Sequence, residues 1–254
     1  MTDIKWCIDY LKEYNRIDAL PQMPDEALFR ALQNITMPYD LSEEFYEKQD
    51  AVLQDILSRK EIKDIADFDD GITLWKGDIT LLKADAIVNA CNNKMLGCFV
   101  PGHHCIDNAI HSFAGLQVRR DMMAIMEKQG HDEKNGDCKV TKAYNLPSKF
   151  IFHTVGPIYS GARQDEIDLA SCYRSCLKKA DEMELTSLVF CCLSTGIFDY
   201  PMEEATTIAI REVKSYLLEK NKNLRKVIFN VFRGQDYDVY QRQLARDQKN
   251  KRSN

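Results

Sequence analysis

Ser187-Leu188-Val189-Phe190-Cys191-Cys192-Leu193-Ser194-Thr195-Gly196-Ile197-Phe198-Asp199-Tyr200-Pro201 is the stretch that decides the fold. A short apolar run suits a strand covered on both faces, as in a sheet packed between helices. The run ends in a Ser-Thr-Gly turn, and Pro201 then suits a first helical turn. Strand, turn and helix in succession form the unit of an α/β domain.

Working outward, the same texture recurs. Ile72–Trp75, Ala86–Asn89, Phe150–Thr154 and Lys226–Phe232 read as further strands, with Ser187–Cys192 as the fifth. Helices are expected near Asp107–Gly115, Leu116–Gln129, Leu169–Glu184 and Met202–Lys220. The pattern predicts helices covering a largely parallel or mixed sheet. From Ile4 to about Asp67 the apolar residues instead recur at helical spacing, as in Ile4, Cys7, Ile8 and Leu11, with breaks at Pro21, Pro24 and Pro38. With 254 residues, 44% of them hydrophobic, the chain can bury one large core. The expected organisation is a helical extension over 1–70, an α/β domain over 71–245, and a frayed basic tail over 246–254. The extension reads as a cap or an interaction surface rather than a reaction site.

A net charge of -5 argues against nucleic acid as a partner, because that binding needs a basic footprint. Arg246–Arg252 is the one basic run and reads as solvated chain. No stretch approaches the roughly 20 apolar residues of a membrane span, and Met1–Lys5 does not resemble a secretion signal. A cytoplasmic protein with no membrane partner is expected. The nine cysteines then read as reduced thiols. Cys91, Cys138, Cys172, Cys176, Cys191 and Cys192 lie among apolar residues and suit packing.

Cys98-Phe99-Val100-Pro101-Gly102-His103-His104-Cys105 differs, because proline and glycine place its thiols and imidazoles on a turn. Cys98, His103 and Cys105 could supply three ligands to one Zn2+, leaving a fourth position for chemistry. His104 could replace His103. A purely structural zinc with four protein ligands is the alternative. Two further loops suit ligand binding, because they follow strands. Backbone amides around Gly196, with the Ser194 and Thr195 hydroxyls, could wrap a diphosphate at a helix N-terminus. The other runs from Asn89-Ala90-Cys91-Asn92-Asn93 through the thiol segment to Ile106-Asp107-Asn108, where Asp107 can cap a helix, serve catalysis, or do both.

Five ordered blocks carry a family resemblance: Gly77-Asp78-Ile79-Thr80, Ala86–Asn92, Ile106–His111, His153-Thr154-Val155-Gly156-Pro157, and Ser194–Phe198. Together, over about Gly71 to Tyr237, they resemble the signature blocks of macrodomains. The Cys98-x4-His103-x-Cys105 insertion is similar to the zinc-dependent branch of bacterial macrodomain protein-ADP-ribose hydrolases; commoner macrodomain hydrolases carry a run of glycines there.

The resemblance implies a three-layer α/β/α sandwich around a mixed sheet, with ADP-ribose in a cleft at the strand ends. It implies that Asp78 accepts from the adenine amino group, with the Ile79 amide beside it. It further implies that Ser194, Thr195, Gly196, Ile197 and Phe198 cradle the diphosphate, with Phe198 over the distal ribose, while Asn92 and Asp107 bracket that ribose. Cys98 and Ile106 complete the expected substrate contacts. Phe232 is a candidate to stack on adenine, with a core position as the alternative.

The activity so implied is hydrolysis of the bond between the distal ribose and a modified protein side chain. Asp107 is the candidate to activate or position water, with Asn92 as its catalytic companion, and zinc held by Cys98, His103 and Cys105 as the cofactor. Two thiolates cancel the charge of Zn2+, which favours orientation and polarisation of the substrate over generation of hydroxide. A non-catalytic ADP-ribose reader and an O-acetyl-ADP-ribose deacetylase are the rival readings. The partners implied are ADP-ribose and mono-ADP-ribosylated protein, the first to try being a lipoyl-carrier protein modified by a sirtuin-type ADP-ribosyltransferase.

Overall fold

In the computed structural model, which describes residues 2–252 and side chains as far as Arg246, three helices open the chain: α1 (Asp3–Tyr14), α2 (Asp25–Ile35) and α3 (Glu43–Ser58). Pro24 and the acidic pair Asp25 and Glu26 start α2, and the Ser42 hydroxyl accepts from Phe45 N to cap α3. Their apolar stripes meet in a core of their own around Leu11, Phe29, Leu32, Phe45 and Leu53, which Leu116 joins from later in the chain.

The α/β part follows. Strands β1 (Lys63–Asp64) and β3 (Leu82–Lys83) form a small parallel pair. The main sheet contains β2 (Gly71–Lys76), β4 (Ala86–Cys91), β5 (Cys138–Lys142), β6 (Phe150–Val155), β7 (Ser187–Phe190) and β8 (Lys226–Val231), in the order β2-β8-β7-β4-β6-β5. Every pairing is parallel except β5 with β6, so the sheet is mixed. Central strands β4 and β7 are apolar on both faces because helices cover both. Helices α4 (Ile106–Ala114) and α5 (Leu116–Gln129) form one group, and α6 (Arg163–Glu182), α7 (Met202–Glu219) and α8 (Gly234–Arg252) another. The result is the expected three-layer α/β/α sandwich with an N-terminal helical segment.

The short pair β1 and β3 is absent from the sequence reading, β1 falling within the stretch read as helical, and three longer elements depart from it. β5 goes unpredicted because Cys-Lys-Val-Thr-Lys on a half-exposed edge lacks an apolar run. Helix α6 begins at Arg163 rather than Leu169; its first turn is charged, and the Asp165 carboxylate holds the Ser160 and Ala162 amides. Helix α8 is mostly polar and continues through most of the stretch expected to be a frayed tail. Ser253 and Asn254 lie outside the described residues, as do the side chains beyond Arg246.

All nine cysteines are free: Cys91, Cys172, Cys176 and Cys191 are buried in or beside the sheet, while Cys138 and Cys192 are half-buried. Among the described residues no helix is long and apolar enough to cross a membrane. Because β2, β4, β6, β7 and β8 run in parallel, their C-terminal ends share one edge of the sheet, where binding loops of α/β folds gather. Asp78, Asn92, Gly156, Ser194 and Phe232 each follow one of those strands.

Candidate active site

The loop between β4 and α4 brings the thiols and one imidazole together. Ligand atoms of Cys98, His103 and Cys105 all lie within 4.8 Å of one another, with Cys98 Sγ 3.7 Å from His103 Nδ1. Tetrahedral zinc with two sulfurs and one nitrogen requires ligand separations of roughly 3.5–4 Å, so a small inward shift completes the set. Two soft thiolates and an imidazole suit zinc better than calcium or magnesium. His104 is exposed and outside the cluster.

Cys105 is also the cap of α4: its Sγ accepts from Asn108 N at 3.4 Å. Asp107, a possible cap by sequence, therefore sits inside the first helical turn. Its side chain reaches back to the sheet, where Asn89 Nδ2 donates to Asp107 Oδ1 over 2.8 Å. Only 5% of Asp107 is exposed, and burial pushes its carboxyl up to about 6 against the opposing effects of the Asn89 hydrogen bond and the Arg119 charge. His111, one turn on, places Nε2 3.5 Å from Asp107 Oδ1. Neither nitrogen of His111 has a hydrogen-bond partner among the described residues, and burial, with the charges of Arg119 and His153, holds its pKa well below the ordinary value.

Asn92 shapes the start of the same loop. Its Oδ1 accepts from Lys94 N at 3.0 Å and its Nδ2 donates to Gly97 O at 3.1 Å. Gly97, at φ +85°, packs so closely that an added Cβ would meet the His111 ring at 2.9 Å. At the other end of the sheet edge, Asp78 Oδ1 accepts from Thr80 N at 2.9 Å and from Thr80 Oγ1 at 2.7 Å, starting a 3-10 turn that buries Ile79. Ile106 is half-buried.

The loop after β7 takes its shape from Ser194, at φ +62°, and Asp199, at φ +55°. Thr195 Oγ1 donates to Cys192 O, Phe198 O accepts from Tyr159 N, Gly196 and Ile197 are exposed, and Phe198 is half-buried. Ser194 is 5% exposed, and its Oγ has no partner among the described residues. A buried hydroxyl in that state is costly without a ligand or water. Phe232 projects from the end of β8 with 75% of its surface exposed, so the core position is overturned and its ring is free to stack.

The Macro domain family matches residues 88–209. Two bacterial relatives, each named protein-ADP-ribose hydrolase, extend the likeness over most of the chain. The one from Staphylococcus aureus (strain MRSA252) is 47% identical over 227 residues, covering 87% of this chain and 85% of its own. The one from Treponema medium is 42% identical over 252 residues, covering 94% and 96%. The chain belongs to the macrodomain family. Among solved structures, the Oceanobacillus iheyensis macrodomain with ADP shares 33% identity at a TM-score of 0.66, covering 72% of this chain and 94% of its own. The Trypanosoma brucei macrodomain in complex with ADP-ribose shares 28% identity at a TM-score of 0.66, covering 88% and 97%.

Several residues of this macrodomain's site receive no role from the sequence. Asn89, His153 and Gly156 fall inside quoted motifs, but Asn89 and His153 look there like interruptions of apolar strands. The need for Gly156 appears only in space: an added Cβ would lie 2.1 Å from Ser194 Oγ. Arg30 and Asn34 belong to the N-terminal helices, more than sixty residues before the loop they touch.

Proposed function

We propose that this macrodomain is a zinc-dependent hydrolase that removes mono-ADP-ribose from modified protein side chains. The observation that carries the reading is the clustering of Cys98, His103 and Cys105 immediately ahead of Asp107, at the sheet edge where the other family motifs also gather. The names of the bacterial relatives support the activity, and the ligands of the similar solved structures support the nucleotide.

Asp78 accepts the adenine amino group through its carboxylate, an acceptor that cannot donate, and the Ile79 amide lies beside it. Phe232 stacks on the base. The Ser194 hydroxyl, with the amides of Thr195, Gly196 and Ile197, surrounds the diphosphate ahead of α7, while Phe198 covers the distal ribose. Asn92 and Asp107 flank that ribose, with Cys98 and Ile106 on the side of the scissile bond. Asn89 holds Asp107 Oδ1, so Oδ2 is the oxygen that orients water toward the anomeric carbon and takes its proton. Cys98, His103 and Cys105 would hold zinc, which supplies Lewis-acid polarisation at the distal ribose when bound. The bond from the anomeric carbon to the side chain breaks, a hydroxyl takes its place, and the freed side chain leaves with the bonding pair and takes up the proton that Asp107 received.

A lipoyl-carrier protein modified by a sirtuin-type ADP-ribosyltransferase is the substrate to try first. The test offers mono-ADP-ribosylated carrier protein and O-acetyl-ADP-ribose to one preparation, with and without a zinc chelator. Release of ADP-ribose from protein that stops with chelation supports the reading. Binding without release would make this chain a reader, and exclusive turnover of O-acetyl-ADP-ribose would make it a deacetylase.

A further inference from the structure

Loop 98–105 has no regular secondary structure, and ordering such a chain works against its conformational entropy. Something has to hold its donors in register. Two elements do so. Asn108 on α4, fully buried, donates Nδ2 to Val100 O at 2.9 Å and to Cys98 O at 3.5 Å, clasping the first half of the loop. Helix α2 supplies the rest from the N-terminal segment. Arg30 Nη2 donates to His103 O at 3.1 Å, the carbonyl of a donor residue itself. The same guanidinium grips Asn108 Oδ1 through Nε at 3.1 Å and Nη2 at 2.8 Å, which fixes the clasp. Asn34 Oδ1 accepts from Gly102 N at 2.8 Å, at the turn where φ is +63°.

The helix is in turn tied down from the α/β part. Arg119 Nη1 donates to the carbonyls of Gln33, Asn34 and Thr36 at 2.9, 2.9 and 2.6 Å, and Arg119 Nε to Leu96 O at 2.7 Å, just before the loop begins. Arg30 also lies over the Phe113 ring at 5.3 Å. Backbone groups of Cys98, Val100, Gly102 and His103 are thus all held from α2, directly or through Asn108.

We infer that α2 is a working part of the metal site, with Arg30 and Asn34 as positioning residues that set the affinity of the Cys98, His103 and Cys105 cluster. This gives the N-terminal segment a role distinct from recognition of a target protein. It rests on the metal reading above, and metal release tests the two separately. Partners one layer behind metal ligands alter affinity by roughly 10–100-fold when removed.

The experiment uses the full chain loaded with cobalt(II) in place of zinc, followed by its thiolate-to-metal charge-transfer band as a chelator strips the metal. Arg30→Met, which keeps the stem over Phe113 but loses every donor, should release cobalt roughly 10–100-fold faster than the parent. Arg30→Lys, with charge but no fork, should fall between them. Asn34→Ala should also release faster. Lys179→Ala, in an exposed pair with Glu182 at the end of α6, should release at the parent rate. Melting of the metal-free proteins shows that each variant folds; should Arg30→Met not fold, Arg30→Lys and Asn34→Ala decide. Parent-like band and release rate in folded Arg30 and Asn34 variants would overturn the inference while leaving the metal site standing. A parent chain that takes up no cobalt would overturn both.

Discussion

Asn89, in the middle of β4, donates its amide to Asp107 Oδ1 over 2.8 Å, and the same Nδ2 lies 3.3 Å from His153 Nδ1. Because Nδ2 can only donate, His153 Nδ1 accepts, and the ring proton sits on Nε2, which donates to Thr141 Oγ1 at 2.9 Å. A buried line from Thr141 through His153 and Asn89 thus fixes the orientation of the carboxylate in the first turn of α4.

Replacing Asn89 by Ala should leave Asp107 without its partner. Loss of a hydrogen bond to a buried charged group costs about 1–3 kcal/mol of stability, and a misplacement of the order of 1 Å in a catalytic group costs roughly 100-fold in rate. Single-turnover hydrolysis should slow by about that factor, with ADP-ribose affinity within a few-fold of the parent. An unchanged rate would remove Asp107 orientation from the account.

Burial holds His153 neutral, with its pKa pushed down to about 3. The unfolded chain takes up this proton below about 6.5, so the neutral ring's contribution is complete above that pH and is lost as pH falls toward 3. From pH 7.5 to 5 the loss is about 2 kcal/mol. Urea unfolding at the two pH values should show the stability gap between the parent and His153→Gln narrowing by that amount. A gap independent of pH would contradict it.

Gly156→Ala drives a methyl group to within 2.1 Å of Ser194 Oγ. Overpacking of this kind costs about 1–3 kcal/mol and should push the Ser194 loop off its ligand, weakening ADP-ribose binding in calorimetry. Adding Ser194→Ala should restore stability, since the two methyl carbons then stand 3.4 Å apart, but not affinity. Additive stability losses would argue against the close approach.

Asp78→Asn keeps an oxygen for Thr80 but turns donors toward the adenine amino group. KM should rise by a factor corresponding to about 1–3 kcal/mol while kcat at saturation holds. A fall in kcat with unchanged KM would place Asp78 outside the adenine pocket.

Much of the fold was readable because its central strands are apolar on both faces: Ala86–Asn89, Phe150–Thr154 and Ser187–Cys192 each overlap an observed strand. Cys98, His103 and Cys105 stood out because packing does not explain thiols beside a Pro-Gly turn. The supporting residues were not readable. Arg30 and Asn34 look like ordinary polar positions on an amphipathic helix, and their contacts with the loop arise only when that helix packs beside α4. Asp107 was noticed as a possible cap, a catalytic residue or both; the capping alternative falls because the Cys105 thiol does that work.

Cys98, His103 and Cys105 are proposed to serve turnover rather than nucleotide affinity. The most direct measurement compares zinc content, ADP-ribose affinity and release of ADP-ribose from modified protein in the parent and in Cys98→Ala. The parent should carry one zinc, and the variant should lose metal and turnover while its nucleotide affinity stays within a few-fold. Undiminished hydrolysis by a zinc-free Cys98→Ala protein would contradict this role.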